Sequence, residues 1–156
     1  MTKSEIVNHL NADLKNEYAH MHFYLHSAIM VAGLHREELS EFFMKQAASE
    51  MKHIQEFANM IVGLDGVPEC LPSEFPSTFS EPHEILSHAL TMETEVVNNY
   101  TVRMDQPVQL GGADGKWIEA CLENQIVVST TDADHIRRMI TKPLSTAGLK
   151  RAEGWS

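Results

Sequence analysis

Basic residues are scarce in this chain. Lys and Arg together number 12 against 22 Asp and Glu, a net charge of −10. That balance argues against nucleic acid as the main ligand and suits a surface that draws cations. Cysteine is nearly absent: Cys70 and Cys121 cannot make a disulfide framework. No apolar run approaches the ~20 residues needed to span a bilayer, and Met1-Thr2-Lys3-Ser4-Glu5 lacks the apolar segment of a secretory signal. No repeat of solenoid period and no low-complexity tract is found. These absences lead to the expectation of a cytoplasmic protein without a membrane segment, carrying two thiols. What remains is an ordinary globular composition, 43% hydrophobic and 22% charged, in 156 residues that suffice for one domain with a real core. Nine histidines and nine methionines are many for this length, and the histidines hint at metal chemistry.

The most informative stretch is Ala48-Ser49-Glu50-Met51-Lys52-His53-Ile54, centred on Glu50-x-x-His53. On a helix, residues i and i+3 share a face, so carboxylate and imidazole point the same way. Leu39, Phe43, Phe57 and Leu64 recur around them at helical spacing, which puts the pair on the core stripe. A buried carboxylate needs a positive partner. A metal ion is one answer and a structural ion pair is the other.

In chain order, Ser4 is the expected N-cap of a first helix over residues 3–31, whose residues 13–31 hold no Pro or Gly. One of its stripes runs Leu10, Glu17, Tyr24, Val31, and a neighbouring apolar one runs Ile6, Leu14, Met21, Leu25, Ile29. Residues 32–35 form a short connection, so the second helix, 36–64, is an antiparallel neighbour. Glu17 lies about 16 residues before the turn and Glu50 about 16 after it, so both carboxylates stand at one height. Asp65-Gly66 ends the helix, and residues 67–80, with Pro68, Pro72 and Pro76, read as a non-helical crossover long enough to run the height of a bundle.

Ser80-Glu81-Pro82 opens a third helix, expected to reach residue 105, with the stripe Leu86, Ala89/Leu90, Glu93, Val96/Val97, Tyr100, Met104. Glu95, rotated about 200° from Glu93, is expected to be solvated. Residues 106–115, with Pro107 and two Gly-containing pairs, read as a loop, and a fourth helix follows over 116–142, stopped by Pro143. Its expected core stripe is Cys121, Gln125, Val128, Asp132, His135, Met139, which makes Asp132-x-x-His135 a second acid-x-x-His pair. Residues 143–156 are read as a tail outside the domain of 1–142.

The predicted fold class is therefore all-α: an antiparallel four-helix bundle with a long crossover between the second and third helices. Its core-facing set is Glu17, Glu50, His53, Glu93, Asp132 and His135. One acid from each of two helices and an acid-x-x-His from each of the other two is a donor set for two metal ions inside a bundle. Carboxylates bridge two divalent irons, an imidazole caps each, and both donor types suit iron in either oxidation state.

With these residues the sequence resembles the ferritin-like superfamily, and the bacterioferritins most closely. The resemblance covers residues 3–142 and is carried by Lys15-Asn16-Glu17 with Tyr24 seven residues on, Glu50-Met51-Lys52-His53, Glu93, and Asp132-Ala133-Asp134-His135-Ile136. It implies a di-iron ferroxidase centre, oxidation of Fe(II) by O2 or H2O2, and storage of ferric mineral in a shell of identical subunits. The catalytic set it implies is Glu17, Tyr24, Glu50, His53, Glu93, Asp132 and His135. Tyr24 is an electron donor beside the centre or a core aromatic with a bonded hydroxyl. Met51 matches a position that ligates haem b across a two-fold interface; the plain reading is an apolar residue at a dimer contact.

Three departures matter. Asp132 is one methylene shorter than the family's Glu. Glu93 to Asp132 spans 39 residues, a surplus the 107–115 loop can absorb. The tail after Pro143 is short and poorly helical, with no apparent fifth helix of the kind that lines the four-fold channels of 24-subunit ferritins, which leaves 24-subunit and 12-subunit shells both open. Two alternatives stand beside iron storage. One is a rubrerythrin-like di-metal peroxidase or oxidase, weakened by the lack of a Cys-x-x-Cys pair. The other is a DNA-protecting mini-ferritin of the Dps type, disfavoured by the acidic balance and a basic tail of only Lys142, Lys150 and Arg151.

Overall fold

In a computed structural model, which describes residues 1–140, the chain forms α1 (Lys3–Met30), α2 (Arg36–Gly63), α3 (Pro82–Val102), α4 (Asp105–Leu110) and α5 (Gly112–Ile140). The expected tail 143–156, its basic residues and the Pro143 stop lie outside the described residues. The four long helices and the all-α class agree with the sequence reading. No helix among the described residues is long and apolar enough to cross a membrane.

The first helix starts at Lys3, as expected, but its cap lies two residues before the expected one. Thr2, not Ser4, is the N-cap, because only Thr2 has an acidic residue at its N3 position. Glu5 N–H donates to the Thr2 hydroxyl at 3.2 Å, and Thr2 N–H donates to Glu5 Oε2 at 2.7 Å. The turn to α2 passes through Gly33 at φ 102°. It is tied across by the Arg36 guanidinium, which donates to the Ile29 carbonyl at 3.0 Å, and by the Ser40 hydroxyl, which donates to the Ala28 carbonyl at 2.6 Å. α2 closes with Gly66 N–H on the Ile61 carbonyl at 2.8 Å and Asp65 N–H on the Val62 carbonyl at 3.0 Å, with Asp65 left-handed at φ 63°.

The crossover climbs along α1 from Asn11 to its C-terminal end. Glu69 N–H donates to the Asn11 side chain at 2.8 Å, Ser73 N–H to the Lys15 carbonyl at 3.1 Å, His26 Nε2 meets the Ser77 carbonyl at 2.6 Å, and Ala32 N–H donates to the Ser80 carbonyl at 3.0 Å. α3 thus begins beside the α1–α2 turn, opposite the end where α2 stopped. Its N-cap is Glu81, with Pro82 in the first turn.

The expected loop 106–115 is largely helical. α3 ends at Val102, α4 occupies 105–110, and α5 begins at Gly112, before Lys116. Pro107 falls in the first turn of α4, where a missing N–H leaves no bond unmade. Gly111 and Gly112, at φ 72° and 64°, make the reversal. Gly115 is required for another reason: a Cβ there would lie 2.4 Å from the Pro107 carbonyl oxygen, so only glycine lets α4 lie against α5.

α1 packs mainly on α2, and α3 on α5. Two apolar clusters fill the two ends of the bundle. One gathers Leu10, Leu14, Phe57, Ile61, Tyr100 and Ile118, and the other Phe23, Tyr24, Phe43, Ile85, Met92 and Ile136. Two expected stripes need correction. Leu25 and Ile29 on α1 are exposed. The buried face of α5 is Ile118, Leu122, Gln125, Ser129, Ala133 and Ile136, one position round from the expected one. Asp132 therefore sits at its edge, half-buried, and His135 and Met139 are exposed.

Candidate metal centre

Between the two apolar clusters lies a polar layer. Glu17 is 1% exposed, Glu50 4%, Glu93 2% and His53 6%. Three carboxylates at this depth would be expensive as bare charges. The ion pairs of Glu17 and Glu50 among the described residues are to His53 alone, and none of the three acids pairs with Lys or Arg.

The tight half of the layer is built by the α1–α2 hairpin. Ligand atoms of Glu17, Glu50 and His53 all lie within 4.8 Å of one another, as the equal-height count requires. His53 Nδ1 is 3.1 Å from Glu50 Oε2 and 3.5 Å from Glu17 Oε2. The other oxygen of Glu17, Oε1, accepts the Tyr100 hydroxyl at 2.6 Å. Glu17 Oε2 has no hydrogen-bond partner, one of two such buried side-chain atoms among the described residues. The Tyr100 bond fixes the carboxylate and leaves that oxygen aimed at Glu50 and His53.

The electrostatics follow from this crowding. Burial and the Glu17 charge push Glu50 well above the ordinary carboxylate range. Burial works the same way on Glu17, but the close approach of His53 and Glu50 outweighs it and holds Glu17 at about 2. Burial alone would lower His53; the two adjacent carboxylates overcome it and push the imidazole up to about 10. In the metal-free chain burial and crowding thus favour a proton on Glu50 and on His53. Those are the protons a cation would displace. The orphaned Glu17 oxygen, two further donors within reach and exchangeable protons fit a divalent metal ion.

The other half, on α3 and α5, is looser. Tyr24, fully buried, donates to Glu93 Oε1 at 2.8 Å. Its hydroxyl thus serves Glu93 rather than Glu17, whose phenol is Tyr100. Burial raises Glu93 to about 7, with the Asp132 charge adding to it and Tyr24 and Ser129 opposing. Burial likewise raises Asp132, against a bond from Gln46 and the nearby His53 and His135. His135 is exposed and stacks obliquely on Phe42 at 5.6 Å. The sequence set therefore divides in two. Glu17, Glu50 and His53 converge, Glu93 and Asp132 face them at electrostatic range, and His135 stands at the rim.

Several supporting residues were not singled out from sequence as part of the site. Tyr100 lies seven positions after Glu93 on the same stripe, and Gln46 four before Glu50, so helical spacing was the available signal. Met51 is 53% exposed on α2, pointing away from the layer. Cys70 is exposed and Cys121 half-buried, both as free thiols; burial, with Glu56 alongside, pushes Cys121 up to about 12.

Comparison with known proteins bears on this geometry. The family model described as Ferritin-like domain matches residues 7–111. A comparison with curated protein sequences returns no match. Among solved structures, the chain is similar to a ferritin-like, diiron-carboxylate protein from Bacillus anthracis, with 27% identity, TM-score 0.82, and 89% of this chain and 97% of that one covered. The bacterioferritin-related dodecameric thioferritin of Bacteroides fragilis aligns at 17% identity and TM-score 0.79, over 97% of this chain and 92% of that one. Mycobacterium tuberculosis bacterioferritin BfrA aligns at 18% and 0.77, over 94% and 90%. The last two speak for the fold alone.

Proposed function

Because the chain belongs to the ferritin-like domain family, we propose that it is a di-iron ferroxidase and iron store. It takes up two Fe(II) per chain, oxidises them with O2 or H2O2, and holds Fe(III) mineral inside a shell of 12 or 24 identical subunits in the cytoplasm. The observation that carries this reading is the orphaned buried oxygen of Glu17, aimed at Glu50 and His53, with no Lys or Arg among the described residues paired to any of the three acids of the layer.

In this reading iron is the substrate, and each Fe(II) supplies one electron to the oxidant. The chain's own residues do the rest. Glu17, Glu50 and His53 hold one ion, with Tyr100 fixing the Glu17 carboxylate. Glu93, Asp132 and His135 complete the second position, with Tyr24 orienting Glu93 and Gln46 orienting Asp132. The protons on Glu50 and His53 leave as the ions arrive, so uptake is opposed by acid. The apolar clusters above and below keep bulk water from the layer. Tyr24 as an electron donor predicts a tyrosyl radical signal during oxidation that Tyr24→Phe removes. Met51 is assigned to a contact between subunits; a Soret band lost in Met51→Leu would instead assign it to haem b.

The test is an anaerobic Fe(II) titration followed by O2, with absorbance and particle size read on one sample. Two Fe(II) per chain are expected to bind first, and a shell retaining far more Fe(III) than that is expected afterwards. A small oligomer that turns over without retaining iron would favour the peroxidase-like alternative. Wild-type oxidation kinetics in Glu50→Ala or His53→Ala would rule out the site assignment.

A further inference from the structure

Arg103 stands just past the last turn of α3, as its C-cap, where a cation also meets the negative end of the helix. Its side chain reaches across to α1 and pairs with Asp13. Both partners are largely withdrawn from water, with side chains 17% and 8% exposed. Asp13 lies one helical turn before Glu17 on the buried face of α1. The same guanidinium lies over the ring of Tyr100, 5.5 Å from its centroid. At the far end of that ring the Tyr100 hydroxyl donates to Glu17 Oε1. The four side chains close a circuit. Asp13 and Glu17 come from α1, and Tyr100 and Arg103 from α3 and its cap.

Stability gives only a weak account of this pair. Taking two charges out of water offsets most of their attraction, and burial pushes Asp13 up to about 7 even with Arg103 beside it. Geometry gives a better one. Asp13 holds the guanidinium in place, and the guanidinium in turn holds the Tyr100 ring, which also packs against Phe57 at 5.7 Å. A phenol oxygen lies on the axis of its ring, so fixing the ring fixes the hydroxyl. That hydroxyl decides which oxygen of Glu17 is occupied and which is left unpartnered.

We propose that Arg103 is a positioning residue for the metal centre. Held by Asp13, it props the Tyr100 ring so that Tyr100 keeps Glu17 Oε1 engaged and leaves Glu17 Oε2 for a divalent cation. The role rests on the metal centre proposed above, though not on iron oxidation or storage. Positioning and simple charge predict opposite signs. Removing a positive charge near a cation site tightens that site by Coulomb's law, whereas removing the prop beneath Tyr100 loosens it.

The probe is Co(II), titrated anaerobically into the full chain and read by its visible absorbance. Tyr100→Phe is expected to weaken the tighter class of Co(II) site at least about tenfold, and Arg103→Gln, one step further out, about fivefold. Adding Arg103→Gln to Tyr100→Phe is expected to cost less than about a further twofold, because the route to Glu17 is already cut. Asp13→Asn combined with Arg103→Gln leaves the net charge unchanged and no buried ion unpaired. That double variant is expected to keep wild-type helicity and to show the same roughly fivefold loss. Unchanged or tighter binding in Arg103→Gln overturns the proposal. So does a loss that multiplies in full with that of Tyr100→Phe, or wild-type affinity in the charge-balanced variant. A wild-type chain that binds no Co(II) removes the metal centre and this role together. Coupled losses in a chain that neither oxidises nor retains iron would leave the role of Arg103 standing and remove the proposed function.

Discussion

The two halves of the polar layer are built from the same residue types and differ in how firmly they are held. Glu17, Glu50 and His53 converge within 4.8 Å, whereas Glu93, Asp132 and His135 do not. The cause is connection and reach. α1 and α2 are joined through residues 31–35 and cross-tied by Arg36 and Ser40, so the level of their acids is set by the turn. α3 and α5 are joined through the whole of α4, and the acid on α5 is an aspartate at the edge of the buried face. A hairpin fixes its own donors before any metal arrives; a pair joined at a distance leaves part of that work to the ion.

This contrast can be broken most severely at the tight half. Glu50→Ala or His53→Ala is expected to lower the fast phase of Fe(II) oxidation by at least about 100-fold, read by stopped-flow absorbance. His135→Ala, at the rim, is expected to cost only about tenfold. Equal losses would mean that the halves are equivalent once loaded.

The metal-free chain offers a second comparison, in pH. Glu93 is raised to about 7 and His53 to about 10. Both hold protons in the folded state that the unfolded chain releases earlier. Their stabilisation is complete below about pH 4.5 for Glu93 and below about 6.5 for His53. It is lost as pH rises through 7 and 10 respectively. Glu17, held low, has the opposite sign, but its effect is already complete above about pH 4.5. The melting temperature without metal is therefore expected to fall between pH 5 and 9, by on the order of 5 °C. Glu50→Gln should flatten that slope more than Asp132→Asn does. The reverse ranking would place the greater electrostatic strain in the looser half. The smallest expected effect is a gain: Asp132→Glu adds one methylene of reach and should tighten the second Fe(II) by roughly two- to threefold, measured by anaerobic titration.

Much of this was legible in the sequence, for reasons visible in particular residues. The equal spacing of Glu17 and Glu50 about Gly33 needed only the rise of a helix, and the crossover's prolines announced its length. What the sequence obscured was rotation and local chemistry. The stripe read through Cys121, Val128 and His135 was one position off, because α5 mixes small and polar residues on both edges of its buried face. The turn of helix at 105–110 was hidden by Pro107 and the glycines, residues that break a helix in its middle and open or close one at its ends. Tyr100 as the partner of Glu17 depends on α1 facing α3, a relation between helices that spacing along one of them does not carry.

The belt of polar groups between two greasy ends also acts as a ruler. Sliding α2 along α1 by a single turn would drive Glu50 and His53 among phenylalanines and strand Glu17 without them, so misaligned pairings are penalised before any ligand is present. A variant with leucines throughout the belt is expected to melt at a higher temperature yet show broadened side-chain resonances, having lost the marks by which its rods find their one alignment.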